Sequence, residues 1–423
     1  MNTWARLSRS IPIPGEGGRI RCLLLFLVLF PFEPLLAQSW NRAVFRDDEI
    51  EPRDFSYNNE YFLNIHSYQP APDWESMWER GERGYLISVG SVRSDEFYLR
   101  QELKFHVPIS ESFGFHFDLL EDEDFDTRFL RNRVAVTFAP HEEWTIYALG
   151  EGTSAKEDND IGIGTIHSSD TLGMWEIQLT AVDFNEDKGK QGREFRDDAY
   201  GLLVRNRISL SENLTLGGGI DYQLPMTLKE PVETLEFRFD KRQYHGWLRW
   251  RTGEESSLRL SVNGEVTSKN TQYQNPAPPS DQKLSRNALK SNVEFMWRWE
   301  RFHDARCYLG FQYFHYWERS RFPEQQQDSI KEERDEFTFY GGPSIEVFDQ
   351  TFFKPTFFLD YVSRNILIPS DAARNDRYNG FQGKLSFICE FRFKDTVRLV
   401  VHPALDLDKL NWGGGNVQFI AFF

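Results

Sequence analysis

Few residues in this chain are spaced for chemistry, and each such group lacks a part. His141-Glu142-Glu143-Trp144 sets a carboxylate beside an imidazole. The second histidine that a zinc-hydrolase helix carries one turn later is missing, and the stretch falls in an expected short turn. Glu157-Asp158-Asn159-Asp160 is acidic enough to attract calcium but lacks the regular ligand spacing of a calcium loop. Ile161-Gly162-Ile163-Gly164 has two strand glycines with no helix behind them to hold a phosphate. Ser386, His402 and Asp360 are a nucleophile, a base and an orienting acid on successive expected strands, yet nothing in the spacing selects them over other combinations. Asn213-Leu214-Thr215 matches a glycosylation acceptor by chance, in a turn. No catalytic residue, metal or cofactor is expected, and the chain is not read as an enzyme.

The titratable residues make more sense as rows. Arg100, Glu102, Lys104 and His106 alternate with Leu99, Leu103, Phe105 and Val107, so an extended strand puts the two kinds on opposite faces. The pattern repeats. Phe113, Phe115, Phe117 and Leu119 oppose His116 and Asp118; Trp175, Ile177 and Leu179 oppose Glu176 and Gln178. Val293, Phe295, Trp297 and Trp299 oppose Glu294 and Arg298; Phe387, Cys389, Phe391 and Phe393 oppose Glu390 and Arg392. The polar rows carry Arg131, Arg133, Arg205, Arg207, Arg249, Arg259 and Arg398 besides those named, and the acids Asp221, Glu265, Glu336 and Asp360. Both signs are present, with a modest excess of arginine.

The elements that must position these rows are strands. Breaks between them alternate in length. Long ones fall near 406–415, 363–379, 318–334, 267–287, 224–240, 183–199, 151–160 and 120–128. Short ones fall near 393–396, 348–352, 300–304, 252–257, 210–213, 167–171, 139–143 and 108–112. Only the first hairpin, at Arg93-Ser94-Asp95, breaks the rule. Stacked sheets have no reason to sort their connections this way; a barrel through a bilayer does, with short turns on one side and longer loops on the other. The count is about 18 antiparallel strands, roughly 16 to 18 because Thr234 to Arg251 reads either as one strand or as a hairpin. Trp144, Trp175, Trp250, Trp297, Trp299, Tyr222 and Tyr361 fall near strand ends, where amphipathic rings meet headgroups.

Composition agrees. Of 423 residues 40% are hydrophobic and 15% aromatic, yet mean hydropathy is -0.56. A wall greasy on alternate residues only has this balance. Beyond the N-terminus no apolar run approaches the ~20 residues of a spanning helix. The net charge of -16 is crowded into the long connections, for example Glu121-Asp122-Glu123-Asp124, and the absence of a basic patch excludes nucleic acid as a partner.

The final residues, Asn416 to Phe423, place Val417, Phe419, Ala421 and Phe423 on one face. An aromatic-ended strand of this kind resembles the C-terminal strand of bacterial outer-membrane β-barrels. The resemblance covers about Gly84 to Phe423 and implies an all-β, up-and-down transmembrane barrel. It further implies that the barrel assembly machinery reads Phe419 and Phe423.

Arg6, Arg9, Arg19 and Arg21 precede the apolar run Cys22 to Phe32, and Ala37 follows Pro34-Leu35-Leu36, the layout of a cleaved signal peptide over 1–37. Residues 38–83 form a periplasmic extension or plug. Asp73 caps an expected short helix at 73–80 that puts Trp74, Met77 and Trp78 on one side. Cys307 and Cys389 fall three expected strands apart, about 14 Å, too far for a disulfide.

The expected function is a porin-like channel in the outer membrane of a diderm bacterium, both termini periplasmic. Small hydrophilic solutes, anions preferred, would diffuse through a charged lumen, because barrels of 16–18 strands leave an aqueous channel. Arg100, Glu102, Lys104, Arg131, Arg133, Arg205, Arg207, Arg249, Arg259, Glu294, Arg298, Arg392 and Arg398 are the expected lumen residues. Membrane lipid is the other partner, and barrels of this size often form homo-oligomers by class. Two alternatives stand beside it: a surface-polysaccharide export or assembly barrel gated by the N-terminal segment, and a closed structural barrel. Lumen rings such as Tyr98, Trp247, Tyr308 and Tyr340 would favour export, because sugars stack on aromatics.

Overall fold

A computed structural model describes residues 84–423, apart from 93–96, 125–127, 154–159, 170–171, 182–193, 196–199, 231–234, 254, 274–279, 300–304, 323–326, 370–374, 394–395 and 409. The expected signal peptide, the 38–83 extension with its helix, and the hairpin at Arg93-Ser94-Asp95 lie outside the described residues. The described strands are β1 (Gly84–Val92), β2 (Phe97–Pro108), β3 (Phe113–Asp124), β4 (Arg128–His141), β5 (Trp144–Thr153), β6 (Asp160–Ser169) and β7 (Gly173–Ala181). Then come β8 (Glu194–Phe195), β9 (Tyr200–Ser211), β10 (Leu214–Glu230), β11 (Leu235–Gly253), β12 (Ser256–Tyr273) and β13 (Ser280–Trp299). The last six are β14 (Ala305–Phe322), β15 (Gln327–Phe348), β16 (Thr351–Leu367), β17 (Asp376–Phe393), β18 (Val397–Asp406) and β19 (Asn411–Phe422). The two-residue β8 pairs only with the far end of β10, and β7 pairs directly with β9. The other eighteen strands form one closed, antiparallel, up-and-down wall.

Closure is made by β1 and β19, in register from Tyr85↔Phe422 to Val92↔Gly415. Gly84 and Phe423 finish the seam by donating to each other's carbonyls at 2.9 and 3.1 Å. A closed sheet has no edge, so no row of backbone groups is left bare to hydrocarbon. On β19 the outward Val417, Phe419 and Phe423 are 49%, 39% and 42% exposed, as a lipid-facing row must be. Inward Asn416 and Gln418 are buried.

The strands are taller than the alternation suggests. β11, β13 and β15 run 19, 20 and 22 residues. Thr234 to Arg251 therefore lies mostly in one strand, not a hairpin. Most of the stretches read as long connections, including 224–230, 267–273, 327–334 and 376–379, are strand. Crossing a bilayer takes about 9–11 residues of tilted strand. Beyond that height both faces meet water, so hydrophobic alternation stops while the backbone ladder continues. For the same reason Tyr222 and Tyr361 sit mid-strand rather than at strand ends.

The inner face also departs from a uniformly polar lining. Tyr85, Ile87, Val89, Ile420 and Phe422 form a buried inward cluster at the seam. Tyr308, Tyr340 and Phe358 form another, and Ala135, Tyr147, Leu149 and Ile166 a third. Several of these rings lie flat over a glycine directly opposite them in register. Tyr147 faces Gly164 and Tyr340 faces Gly310. A Cβ at those glycines would stand 2.3 Å and 2.1 Å from the ring Cζ. Each tyrosine thereby spans three strands. Tyr147 on β5 crosses β6 and donates to Glu176 (2.6 Å) on β7. Tyr340 on β15 crosses β14 and donates to Glu294 (3.0 Å) on β13. A ring laid on a glycine restores the contact area that the missing side chain gives up.

Gly310→Val should push the Tyr340 ring off the wall and cost about 2 kcal/mol of stability, read as a lower urea midpoint in detergent. Adding Tyr340→Ala should recover part of that loss. If the two changes proved additive, the ring-on-glycine contact would not be holding β13–β15 together.

Candidate functional site

The candidate site is the inner wall, built from the polar residue of each alternating pair. Around β1–β7 these residues are knotted into ion pairs and hydrogen bonds. Tyr85 Oη donates to Glu102 Oε1 at 2.9 Å, and Lys104 Nζ sits 2.6 Å from the same oxygen and 3.9 Å from Asp118. Arg131 reaches Asp118 at 3.4 Å, and Arg133 reaches Glu151 at 2.6 Å. His106 Nδ1 and His116 Nε2, directly opposite in register, are 2.9 Å apart. A cavity of about 30 Å³, lined in part by Lys104, Asp118, Arg133, Tyr147 and Glu176, has room for a water or two among these groups.

The arc β13–β19 is equally tied. Arg286 donates to Glu318 at 3.0 Å, and Arg364 to Glu332 at 3.4 Å; Arg334 pairs with Glu336. Glu390 takes both Lys354 and Arg392. Lys384, wholly buried, donates to the Gly413 carbonyl at 2.8 Å and lies 3.3 Å from Asp406. Arg298 pairs with Glu255 in the turn before β12. Buried charges are tolerable only when paired and hydrogen-bonded in this way.

Ser386 and His402 do meet, through Oγ and Nε2. Asp360 does not join them; it accepts from Thr338 at 2.7 Å. Asn416, directly opposite His402 on β19, takes the third place at 3.1 Å from Nδ1. Ser386 is 0% exposed, so these three residues serve as cross-strand hydrogen bonds of β17–β19. Cys307 on β14 and Cys389 on β17 are unpaired.

The wall is not equally covered all round. Inward residues of β14–β19, such as Thr356, Asp360, Lys384 and Ser386, are buried. Those of β11 and β12, including Gln243, His245, Trp247, Arg249, Arg259, Ser261 and Asn263, are half-buried. Of the acids here Glu265 is closed off, taking Lys241 at 3.1 Å, Gln243 at 3.0 Å and Thr267 at 3.0 Å. The expected lumen residues fall on different parts of the wall. Glu102, Lys104, Arg131, Arg133 and Arg392 belong to the paired walls, and Arg298 lies near the end of β13. Arg205, Arg207, Arg249, Arg259 and Glu294 cluster on β9–β13, where Arg249 faces Arg259 and Arg259 faces Glu294. Arg398 faces Arg392 and lies over the Phe422 ring, 5.8 Å from its centroid. Arg100 faces Val89 across β1.

The outer face is a belt of exposed Ile, Val, Leu, Phe and Trp, while the inner face is polar and paired over most of its extent. The chain is a β-barrel of the outer-membrane type. No family model matches it, and neither does any curated protein. Solved structures similar to this barrel include the translocator domain of the autotransporter NalP from Neisseria meningitidis. It is 9% identical over 82% of this chain and 91% of that one, with a TM-score of 0.32. A bacterial polysaccharide outer membrane secretin is 8% identical over 81% and 99%, with a TM-score of 0.36. OmpT of Vibrio cholerae, in its trimer form, is 9% identical over 80% and 98%, with a TM-score of 0.34.

Lys104→Met should leave Glu102 and Asp118 short of a buried cation and cost the barrel about 3 kcal/mol, with Lys104→Arg losing less. Unfolding of both variants in lipid vesicles checks this. A Met variant as stable as the parent would mean that the pairing does not support the wall.

Proposed function

We propose that this barrel is a passive channel for small hydrophilic solutes and that the route runs along β9–β13. The half-buried inner face of β11 and β12 carries the proposal, because a permeant solute needs wall that its water can reach. The paired arcs act as a stiff frame, and the lumen residues tune selectivity rather than perform chemistry. Arginine outnumbers acid on the open arc, which favours anions, since fixed charge in a confined channel acts on a solute with little screening. In this reading the short turns and both termini face the periplasm. The acidic long connections face outward, and the assembly machinery reads Phe419 and Phe423.

A planar bilayer holding the purified protein in an about tenfold KCl gradient should give a reversal potential on the chloride side. Arg249→Glu combined with Arg259→Glu should move it toward potassium. Cation preference in the unmodified protein would overturn the anion reading. Separately, Phe423→Ala should lower the amount of barrel reaching the outer membrane while leaving refolding in detergent intact; an unchanged membrane yield would count against the assembly role.

A further inference from the structure

One strand of the wall overhangs its neighbour. The 18-residue β17 stands beside the 10-residue β18, and their ladder stops at Lys384↔Asp406. Beyond that point, away from the short turns, residues 376–383 of β17 pair among the described residues only with β16. Gly383 donates its N–H to Asp408 Oδ1 at 3.2 Å and accepts the Leu407 N–H on its carbonyl at 2.9 Å. Both of its main-chain groups therefore point away from β16. Alternate residues of an antiparallel strand share that direction. The N–H and C=O groups of Arg377, Asn379 and Phe381 thus lie along the open edge, and none has a hydrogen-bond partner among the described residues. Arg377 and Asn379 are exposed and Phe381 is 68% exposed, so the strand is open to solvent at these positions.

Proteins blunt bare strand edges with proline, lysine, a bulge or a covering loop. Tyr378 to Gln382 hold no proline and no charge, and the β16–β17 register runs without a bulge from Thr351↔Phe391 to Ile366↔Asp376. The side chains beside the edge are sorted by height. Phe381, nearest the apolar belt, packs on Tyr361 with ring centroids 5.0 Å apart. Asn379 comes next, then Arg377. Opposite Arg377 on β16 stands Asn365, and Arg377 makes no ion pair among the described residues. The outward acid in this row, Glu333, lies one strand further on, opposite Asn365 on β15. Asp376 is turned to Arg364, 3.5 Å away. A second copy in the same membrane does not fit this edge. Its own β17 descends toward the short turns in the same sense, whereas the wall continues with an antiparallel strand. Its rising β10, which overhangs β9 beyond Gln223↔Gly201, is already taken at Leu228 and Lys229 by β8.

We infer that the edge of β17 at Arg377, Asn379 and Phe381 receives an extended segment of another protein, one with an aromatic residue and a carboxylate four positions later. The segment adds as a short antiparallel strand, on the side of the membrane opposite the short turns. Its main chain exchanges N–H and C=O bonds with the three edge residues, which gives affinity, and its alternate side chains give specificity. The aromatic residue meets Phe381, a small polar residue meets Asn379, and the carboxylate meets the paired donors of Arg377. The residues between them stand on the other face, opposite Gly380 and Tyr378. Docking at this edge is independent of whether the lumen conducts.

The probe is the capped, dye-labelled heptapeptide TFTNTET, titrated to about 1 mM against the full-length detergent-solubilised barrel by fluorescence anisotropy. It should bind, and TFTNTKT, with lysine in place of glutamate, should bind at least about tenfold more weakly. Arg377→Glu should reverse that preference. Asn379→Pro removes an N–H that points away from β16, so the wall keeps its ladder and its urea midpoint while peptide binding falls about tenfold. Methylating the asparagine nitrogen of the peptide should weaken binding to the unmodified barrel by a similar factor, a test that needs no variant to fold. Absence of saturable binding would overturn the docking edge. So would binding that survives both the proline and the methylated peptide, or a preference unmoved by Arg377→Glu.

Discussion

Backbone hydrogen bonding has no substitute inside a hydrocarbon layer, and the seam between β1 and β19 is where this chain meets that constraint. Every other strand pair joins neighbours in sequence or, for β7 with β9 and β8 with β10, near neighbours; the seam joins residues more than three hundred positions apart. Unless it closes, both edge strands present bare amides to lipid, at several kcal/mol for each unsatisfied group. The apolar cluster of Tyr85, Ile87, Val89, Ile420 and Phe422 sits on the inner side of this junction. Val417, Phe419 and Phe423 cover its outer side. The seam is thus apolar on both faces near Phe423, unlike most of the wall. Packing there adds to a closure that ladder hydrogen bonds alone would leave easy to open.

A wall one residue thick has no second layer to pack against. Its stiffness must come from contacts within the inner surface. Two devices supply them. Tyrosines laid over glycines tie three strands at a time, and chains of ion pairs tie β1–β7 and β13–β19. Both use side chains that would otherwise stand into the lumen, so the stiffened arcs are also the closed ones. On β11 and β12 the inward Gln243, His245, Trp247, Arg249 and Arg259 are half-buried. Sealed and half-buried wall are thus divided around the circumference.

That division changes how the lumen charge is understood. Opposed rows of acid and base on facing walls would set a field across the channel. Instead acid and base alternate within a few ångströms of each other on the same arc, as in Lys104 with Glu102 and Arg133 with Glu151. Such pairs cancel at short range.

The class of fold was legible in the sequence because it depends on a local rule. Side chains alternate across an extended backbone, so Phe97 to Val107 or Trp175 to Ala181 declares a greasy face and a wet one without reference to any other strand. The closed antiparallel wall followed from that rule, and its count of about eighteen strands from the alternation of long and short breaks. The height of the strands did not, because alternation ends where lipid ends while the ladder of β15 goes on for 22 residues. Nor could the sequence say that Tyr340 lies on Gly310, that Asn416 rather than Asp360 meets His402, or that Trp247 is half-buried while Tyr147 is sealed. Those facts depend on register between strands and on what neighbouring side chains cover. Register is fixed by the closed ladder as a whole, so only the tertiary structure decides which inward residues are sealed and which stay half-buried.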